Sequence, residues 1–277
     1  MTPDRDSKPL VSIIMSAFNS APTISDALTS IASQTYNPWE LIVCDDASTD
    51  DTYKILSKFE QAHPGQVSLL QNDTNSKLAY SLNRCLTHAS GDFVARMDAD
   101  DKCLPNRLEM QVEYLQQNPE VDLVGSAMRR FDITGLHDVV RLEYAPDRNS
   151  MIRGVCFAHA TIMARTEVFR SLGGYVDVDR TLRCEDLDLW FRFHAKGFTG
   201  RNLPEALYLV REDKAAVRRR TLSNRWRAYK TTLVGFQQLG YPRRWYLRPT
   251  LDLLKGFVPY HLIDIFRNQQ AKVKKTV

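Results

Sequence analysis

Along residues 11–127, short apolar runs alternate with segments whose apolar positions recur at i, i+3, i+4 and i+7, the periods of buried strands and of helices packed on them. Residues 11–15 read as a first strand, and Ile24, Ala27, Leu28 and Ile31 then predict a helix, with Pro22 suited to its first turn. Residues 41–44 form a second strand; Ile55, Leu56 and Phe59 mark the next helix, behind the capping-type run 48–51. Residues 67–70, then Leu78, Leu82, Cys85 and Leu86, then residues 93–97 repeat the unit. Leu108, Val112 and Leu115 place a helix after Pro105, and residues 121–124 a further strand. This alternation predicts an α/β fold, with a mostly parallel central sheet flanked by helices and a nucleotide-binding half at its start.

Beyond Gly125 the pattern loosens into a strand at 160–164, a helix at 166–172, a Gly173-Gly174 break and a helix after Glu185. From about Lys214 onward, helical periods carry Trp226, Tyr229, Leu233 and Phe236, then Leu251, Leu254, Phe257 and Val258, among arginines and lysines. The chain therefore divides into a main domain at 1–213, with one half near 9–127 and a second near 128–213, and a basic amphipathic helical extension at 214–277. Charge supports the division. Residues 1–213 hold 22 Lys+Arg against 31 Asp+Glu, whereas the extension holds 15 Lys+Arg against only Asp252 and Asp264. That contrast is hidden in a net charge of +4 over 277 residues.

A composition of 43% hydrophobic and 25% charged residues is that of a soluble globular chain. The five cysteines lack Cys-x-x-Cys spacing and are odd in number. They favour neither a zinc site nor a disulfide framework, and a reducing, cytoplasmic setting is expected. No leader-type apolar segment opens the sequence, and no uncharged apolar stretch approaches the roughly 20 residues of a membrane span. The extension, with Trp, Tyr and Phe among Arg and Lys, reads either as a plain solvated helical face or, the favoured reading, as a surface for an anionic membrane, which would place the protein peripherally on the cytoplasmic face. Nucleic acid is disfavoured, because the acidic main domain would repel a phosphate backbone.

In open α/β sheets ligands bind beyond the carboxyl ends of the strands. The first strand here ends in Ser16-Ala17-Phe18-Asn19, the second in Asp45-Asp46 and the fourth in Asp98-Ala99-Asp100-Asp101. Carboxylates crowded at the last of these suit a hard divalent cation, which takes one or two oxygens from protein and leaves room for phosphate. The same Asp-x-Asp spacing at Asp4/Asp6, Asp177/Asp179 and Asp186/Asp188 lacks that context. No glycine follows the first strand before Gly65, which argues against a P-loop or a dinucleotide fingerprint. Farther on, Glu185 and Asp186 open an apparent helix, where the dipole favours the ionised carboxylate. Such a group beside a metal-bound electrophile is a general base, worth about 10²- to 10⁴-fold in rate. The metal would stabilise a departing diphosphate.

Together these segments resemble the family 2 inverting glycosyltransferases, of GT-A fold, over roughly residues 9–212. Val11-Ser12-Ile13-Ile14-Met15-Ser16-Ala17-Phe18-Asn19 is similar to the family's opening strand, with Ser16 where proline is usual. Val43-Cys44-Asp45-Asp46-Ala47-Ser48 resembles its second-strand motif, which implies that Asp46 contacts the base of the donor nucleotide. Asn75-Ser76-Lys77-Leu78 through Leu82-Asn83 resembles its Asn-x-Gly-Leu segment near the diphosphate, with Lys77 in place of glycine. Ala95-Arg96-Met97-Asp98-Ala99-Asp100-Asp101 resembles the metal motif, and Glu185-Asp186 the motif carrying the base. His159-Ala160-Thr161 and Gly173-Gly174-Tyr175 resemble the segment between them.

The resemblance implies an enzyme that moves a sugar from a nucleotide diphosphate donor to an acceptor hydroxyl with inversion. UDP-sugar is favoured, and dTDP presents the same N3–H. Asp98 and Asp100 would hold Mn²⁺ or Mg²⁺; Ser16, Phe18, Asn19, Asp46, Lys77 and Asn83 would line the donor; and Asp186 would be the base. His159, Glu185, Trp190 and Arg192 stand as acceptor-side or supporting groups. The acceptor is expected to be a lipid-linked or surface-polysaccharide glycan. The Gln-x-x-Arg-Trp motif of processive synthases is missing: Leu222 precedes Arg225-Trp226 and Tyr241 precedes Arg244-Trp245 at the glutamine position. Transfer of one sugar at a time follows. The alternatives are a sugar nucleotidyltransferase, which would want a Gly-rich phosphate loop, and a nucleotide-sugar-binding scaffold without catalysis.

Overall fold

A computed structural model describes residues 8–212 and 221–254. Its first half follows the predicted alternation: β1 (Val11–Ala17), α1 (Ile24–Ala32), β2 (Trp39–Asp45), α2 (Thr52–Ala62), β3 (Val67–Gln71), α3 (Lys77–His88) and β4 (Phe93–Asp98). A two-residue β5 (Lys102–Cys103), α4 (Arg107–Gln117) and the long β6 (Leu123–Asp132) follow. Then come β7 (Gly135–Val140), a short α5 (Ser150–Arg153), β8 (Met163–Arg165), α6 (Thr166–Leu172), α7 (Glu185–Ala195) and β9 (Gly200–Arg211). Two helices, α8 (Leu222–Gln238) and α9 (Leu247–Leu254), close the described chain.

The strands form one sheet in the order β3-β2-β1-β4-β8-β6-β9-β5, with β7 added to β6. From β3 to β4 every pairing is parallel. The parallel reading stops there. β8 runs antiparallel to both β4 and β6, and β5 antiparallel to β9, so the strands beyond β4 form a mixed extension. Alternation along β1 sends Val11, Ile13 and Met15 into a core with α1, α2 and α4, and Ile14 into a second core with α3, α6 and α7. Strands buried on both faces read as continuous apolar runs, which is why β1, β2 and β4 were legible. All five cysteines are free and buried.

Two local expectations are corrected. The strand expected at 160–164 is a 3-10 turn at His159–Thr161 followed by β8. Side chains from α4 hold its backbone carbonyls: Gln111 Nε2 donates to Thr161 O at 2.7 Å, and Arg107 donates to Ala160 O and Ile162 O at 3.3 and 3.2 Å. The extension also does not trail as a separate face. Phe236, Leu239 and Tyr241 join the second core with Trp190 and Phe191. Of the residues expected to carry helical periods there, Phe257 and Val258 lie outside the described residues.

Candidate active site

Because β1 to β4 are parallel, their carboxyl ends share one edge of the sheet, and the loops leaving them meet there. Ser16 is in register with Cys44 on one side and Asp98 on the other. Phe18 follows, 45% exposed, an aromatic face open at that edge. Asn19 ties the first two loops together: its Oδ1 accepts from Thr49 N at 2.8 Å, and its own amide donates to Ser48 Oγ at 3.0 Å. Asp46 is buried at the start of α3, accepting from Asn72 Nδ2 and Ser76 N, both at 2.7 Å, and from Lys77 N at 2.9 Å. A carboxylate has about four acceptor positions, so these bonds leave roughly one for another donor. Lys77 reaches Asp46 by adopting φ +74°, the left-handed region natural to the glycine it replaces. Its Nζ donates to Asn75 Oδ1 at 2.6 Å. Asp45 is wholly buried, and its Oδ1 has no partner among the described residues.

At the end of β4, Arg96 and Asp98 stand two residues apart on one strand face and form an ion pair, with Arg96 almost fully buried. Tyr208, from β9, accepts from Asp98 N at 3.1 Å. Carboxylate oxygens of Asp98, Asp100 and Asp101 lie within 4.8 Å of one another. Asp101 is buried and orders the loop, accepting from Arg211 N at 2.7 Å, while Arg211 Nε donates to Asp100 O at 2.8 Å. Burial, reinforced by Asp98 and Asp100, pushes the Asp101 carboxyl up to about 8. Crowded like charge of this kind fits a divalent cation, whose hard-oxygen preference matches an all-carboxylate set. Asp98 and Asp100 are the residues that could hold it, with Asp101 shaping the loop.

Asp186 lies in the first turn of α7 and accepts from Leu187 N at 2.8 Å. Burial raises its pKa, and the Leu187 amide and the Arg96 guanidinium oppose that rise. Asp98 acts on Asp186 as a like charge, so the metal motif and the start of α7 share one electrostatic neighbourhood. Glu185 is buried and accepts from Arg183 N at 3.2 Å, which is a structural use of its carboxylate. His159 Nε2 pairs with Tyr175 OH at 2.8 Å; burial first and Arg96 second hold the imidazole well below its usual pKa, and hence neutral.

Three of the expected site residues are engaged within the fold. Trp190 is fully buried, edge-on to Phe157 and His159, so it supports His159 from the core. Arg192 Nε donates to Asp188 at 2.7 Å and its Nη1 to the carbonyls of Leu172 and Gly174, bracing the Gly173-Gly174 turn, while its buried Nη2 has no partner among the described residues. Asn83 exchanges two 2.8 Å hydrogen bonds with the backbone of Tyr175, so its amide fastens the acceptor-side loop to α3. Sequence reasoning missed Arg107 and Tyr208. Arg107 is buried, with its guanidinium 5.0 Å from the Tyr208 ring and a 2.8 Å bond to Arg96 O, so it secures the strand that presents Asp98. An arginine in a first helical turn reads as surface, and no local signal separates this one.

The sequence model for Glycosyl transferase family 2 matches residues 12–173. The putative glycosyltransferase EpsE of Bacillus subtilis strain 168 is 40% identical over 275 residues, spanning 97% of this chain and 99% of that protein. Among solved structures, S. aureus TarS 1–349 in complex with UDP-GlcNAc superposes with a TM-score of 0.69 at 19% identity, covering 89% of this chain and 71% of that one. The mannosyltransferase PcManGT from Pyrobaculum calidifontis, in complex with GDP-Man and Mn²⁺, gives 0.62 at 23% identity, covering 87% and 67%. At these identities the two structures speak to the fold.

Proposed function

The chain belongs to glycosyl transferase family 2, with the GT-A fold, and from that premise we propose a metal-dependent transfer of a sugar, with inversion, from a UDP-sugar to an acceptor hydroxyl. The observation that carries this reading is the cluster of Asp98, Asp100 and Asp101 at the end of β4, whose carboxylate oxygens lie within 4.8 Å of one another beside the Arg96–Asp98 ion pair. Asp98 and Asp100 would hold Mn²⁺ or Mg²⁺, which when bound neutralises charge on the leaving diphosphate. Phe18 offers a ring for the base, and the remaining acceptor position on Asp46 suits an N3–H. Ser16, Asn19 and Lys77 shape the edge on which the nucleotide would rest. Asp186 takes the acceptor's proton as its oxygen bonds to the anomeric carbon and the bond to diphosphate breaks. His159, kept neutral, and Tyr175 line the acceptor side. A lipid-linked or surface-polysaccharide glycan, met at the membrane periphery, is the acceptor that family membership favours.

Calorimetry with UDP, dTDP and GDP, with and without Mn²⁺, tests the donor half. Metal-dependent UDP binding, lost in Asp100→Ala, is expected; binding that ignores both the metal and the substitution overturns the site. Asp186→Asn is expected to lose about 10²-fold or more of transfer while UDP affinity holds. Full turnover in that variant removes Asp186 as the base.

A further inference from the structure

Among the described residues of the extension, α8 and α9 use only part of their apolar surface for folding. Thr231, Gly235 and Phe236 bury one stripe of α8 against the main domain, with the Phe236 ring edge-on to Phe191 at 5.9 Å. Leu222 and Trp226 on α8, and Leu247, Leu251 and Leu254 on α9, are left 47 to 63% exposed. The three α9 leucines fall at i, i+4 and i+7, one continuous stripe. Pro249 and Leu253, on its other side, turn inward, and Leu253 lines a 260 Å³ cleft with Leu187, Ala228 and Tyr229. Arg243, Arg244 and Arg248 are exposed beside the stripe, Arg248 at the mouth of the cleft, where it also donates to Arg153 O at 3.3 Å. Arg227 and Lys230 are excluded from this set, because both pair with Asp179 on the main domain.

We propose that this α8–α9 face docks on a bilayer bearing anionic phospholipids, with the leucine stripe and Trp226 at the acyl boundary and Arg243, Arg244 and Arg248 among the headgroup phosphates. Leucine and tryptophan rimmed by arginine match the chemistry of that boundary. A second copy of the chain does not, since pairing two such faces sets arginine against arginine. From residue 221 to 277 the sequence places 11 Lys+Arg against Asp252 and Asp264, so charge complementarity points to an anionic partner. The cleft under the face reaches Leu187, the neighbour of Asp186 on α7. Docking there would bring an acceptor anchored in the same bilayer to the proposed base; this last step rests on the transferase reading, whereas the docking itself does not.

Co-sedimentation of the full chain with phosphatidylglycerol/phosphatidylcholine vesicles, against phosphatidylcholine alone, tests the proposal. A basic side chain near an anionic surface contributes about fivefold in binding, so preference for the anionic vesicles of about tenfold or more, fading at high salt, is expected. Arg243→Gln with Arg244→Gln, and separately Leu247→Gln with Leu251→Gln, should each lower vesicle binding by about tenfold. Melting temperature and UDP binding should stay unchanged. Equal binding to both vesicle types, or variants that bind like wild type, overturns the proposal. So does a wild-type dimer that the leucine variants dissociate, which would assign the face to a second copy. Vesicle binding without nucleotide binding would sink the transferase reading and leave the docking surface standing.

Discussion

Lys77 occupies a backbone conformation that a β-carbon disfavours by about 1–2 kcal/mol, and does so to place its amide on Asp46. Lys77→Gly should relieve the strain, offset in part by greater unfolded-chain entropy, for a net gain of about 0.5 kcal/mol in a urea titration. Lys77→Val should lose about 1 kcal/mol or more, since a β-branched residue tolerates positive φ least. A second residue sets acid stability. Burial lowers the His194 pKa from 6.5 to about 4. The unfolded chain therefore binds more protons between those values, and the His194 contribution, present above 6.5, is lost as pH falls toward 4. Comparing His194→Gln with wild type by thermal melts from pH 7 to pH 4 should give a flatter profile for the variant; parallel curves would disprove the assignment. That Asp46, Asp98 and Asp100 share one edge of the sheet was legible because they end apolar strands. Arg107, Asn83 and Trp190 were not, since their roles depend on which distant backbone or ring each one meets.

Among the elements, α8 shows most sharply how one small residue controls docking. A β-carbon on Gly235 would lie 2.1 Å from the Phe191 ring. Gly235→Ala gains about 1 kcal/mol of helix propensity yet must displace a buried aromatic ring. A net loss of about 1–2 kcal/mol is expected by thermal melting, and Gly235→Leu should prevent α8 from seating. An unchanged midpoint in Gly235→Ala would mean that the helix shifts freely on α7. Sequence periodicity found β1, β2, β4, α3 and α6 because both faces or one full stripe of each is buried. It missed β9, and also β5 and β7, which are held by pairing with β9 and β6 and have no internal pattern of their own. It also misjudged residues 160–164, where α4 side chains outcompete the ladder for backbone carbonyls.

The whole molecule has two cores on opposite faces of one sheet, and the extension completes the second. Truncation after Asp213 would strip Phe236, Leu239 and Tyr241 from Phe191 and its neighbours. That fragment is expected to aggregate or melt well below the full chain; a soluble 1–213 fragment that melts cooperatively at the full chain's midpoint would mean that the second core closes without α8. Five thiols are distributed through this architecture: Cys103 in the first core, Cys44, Cys85 and Cys156 in the second, and Cys184 beside Thr231 of α8. Each is closed to reagents until its own surroundings open. The native protein thus contains a graded set of chemical clocks, and the order in which an alkylating agent reaches them would time separately the lifting of α8, the parting of either core and the collapse of the sheet itself.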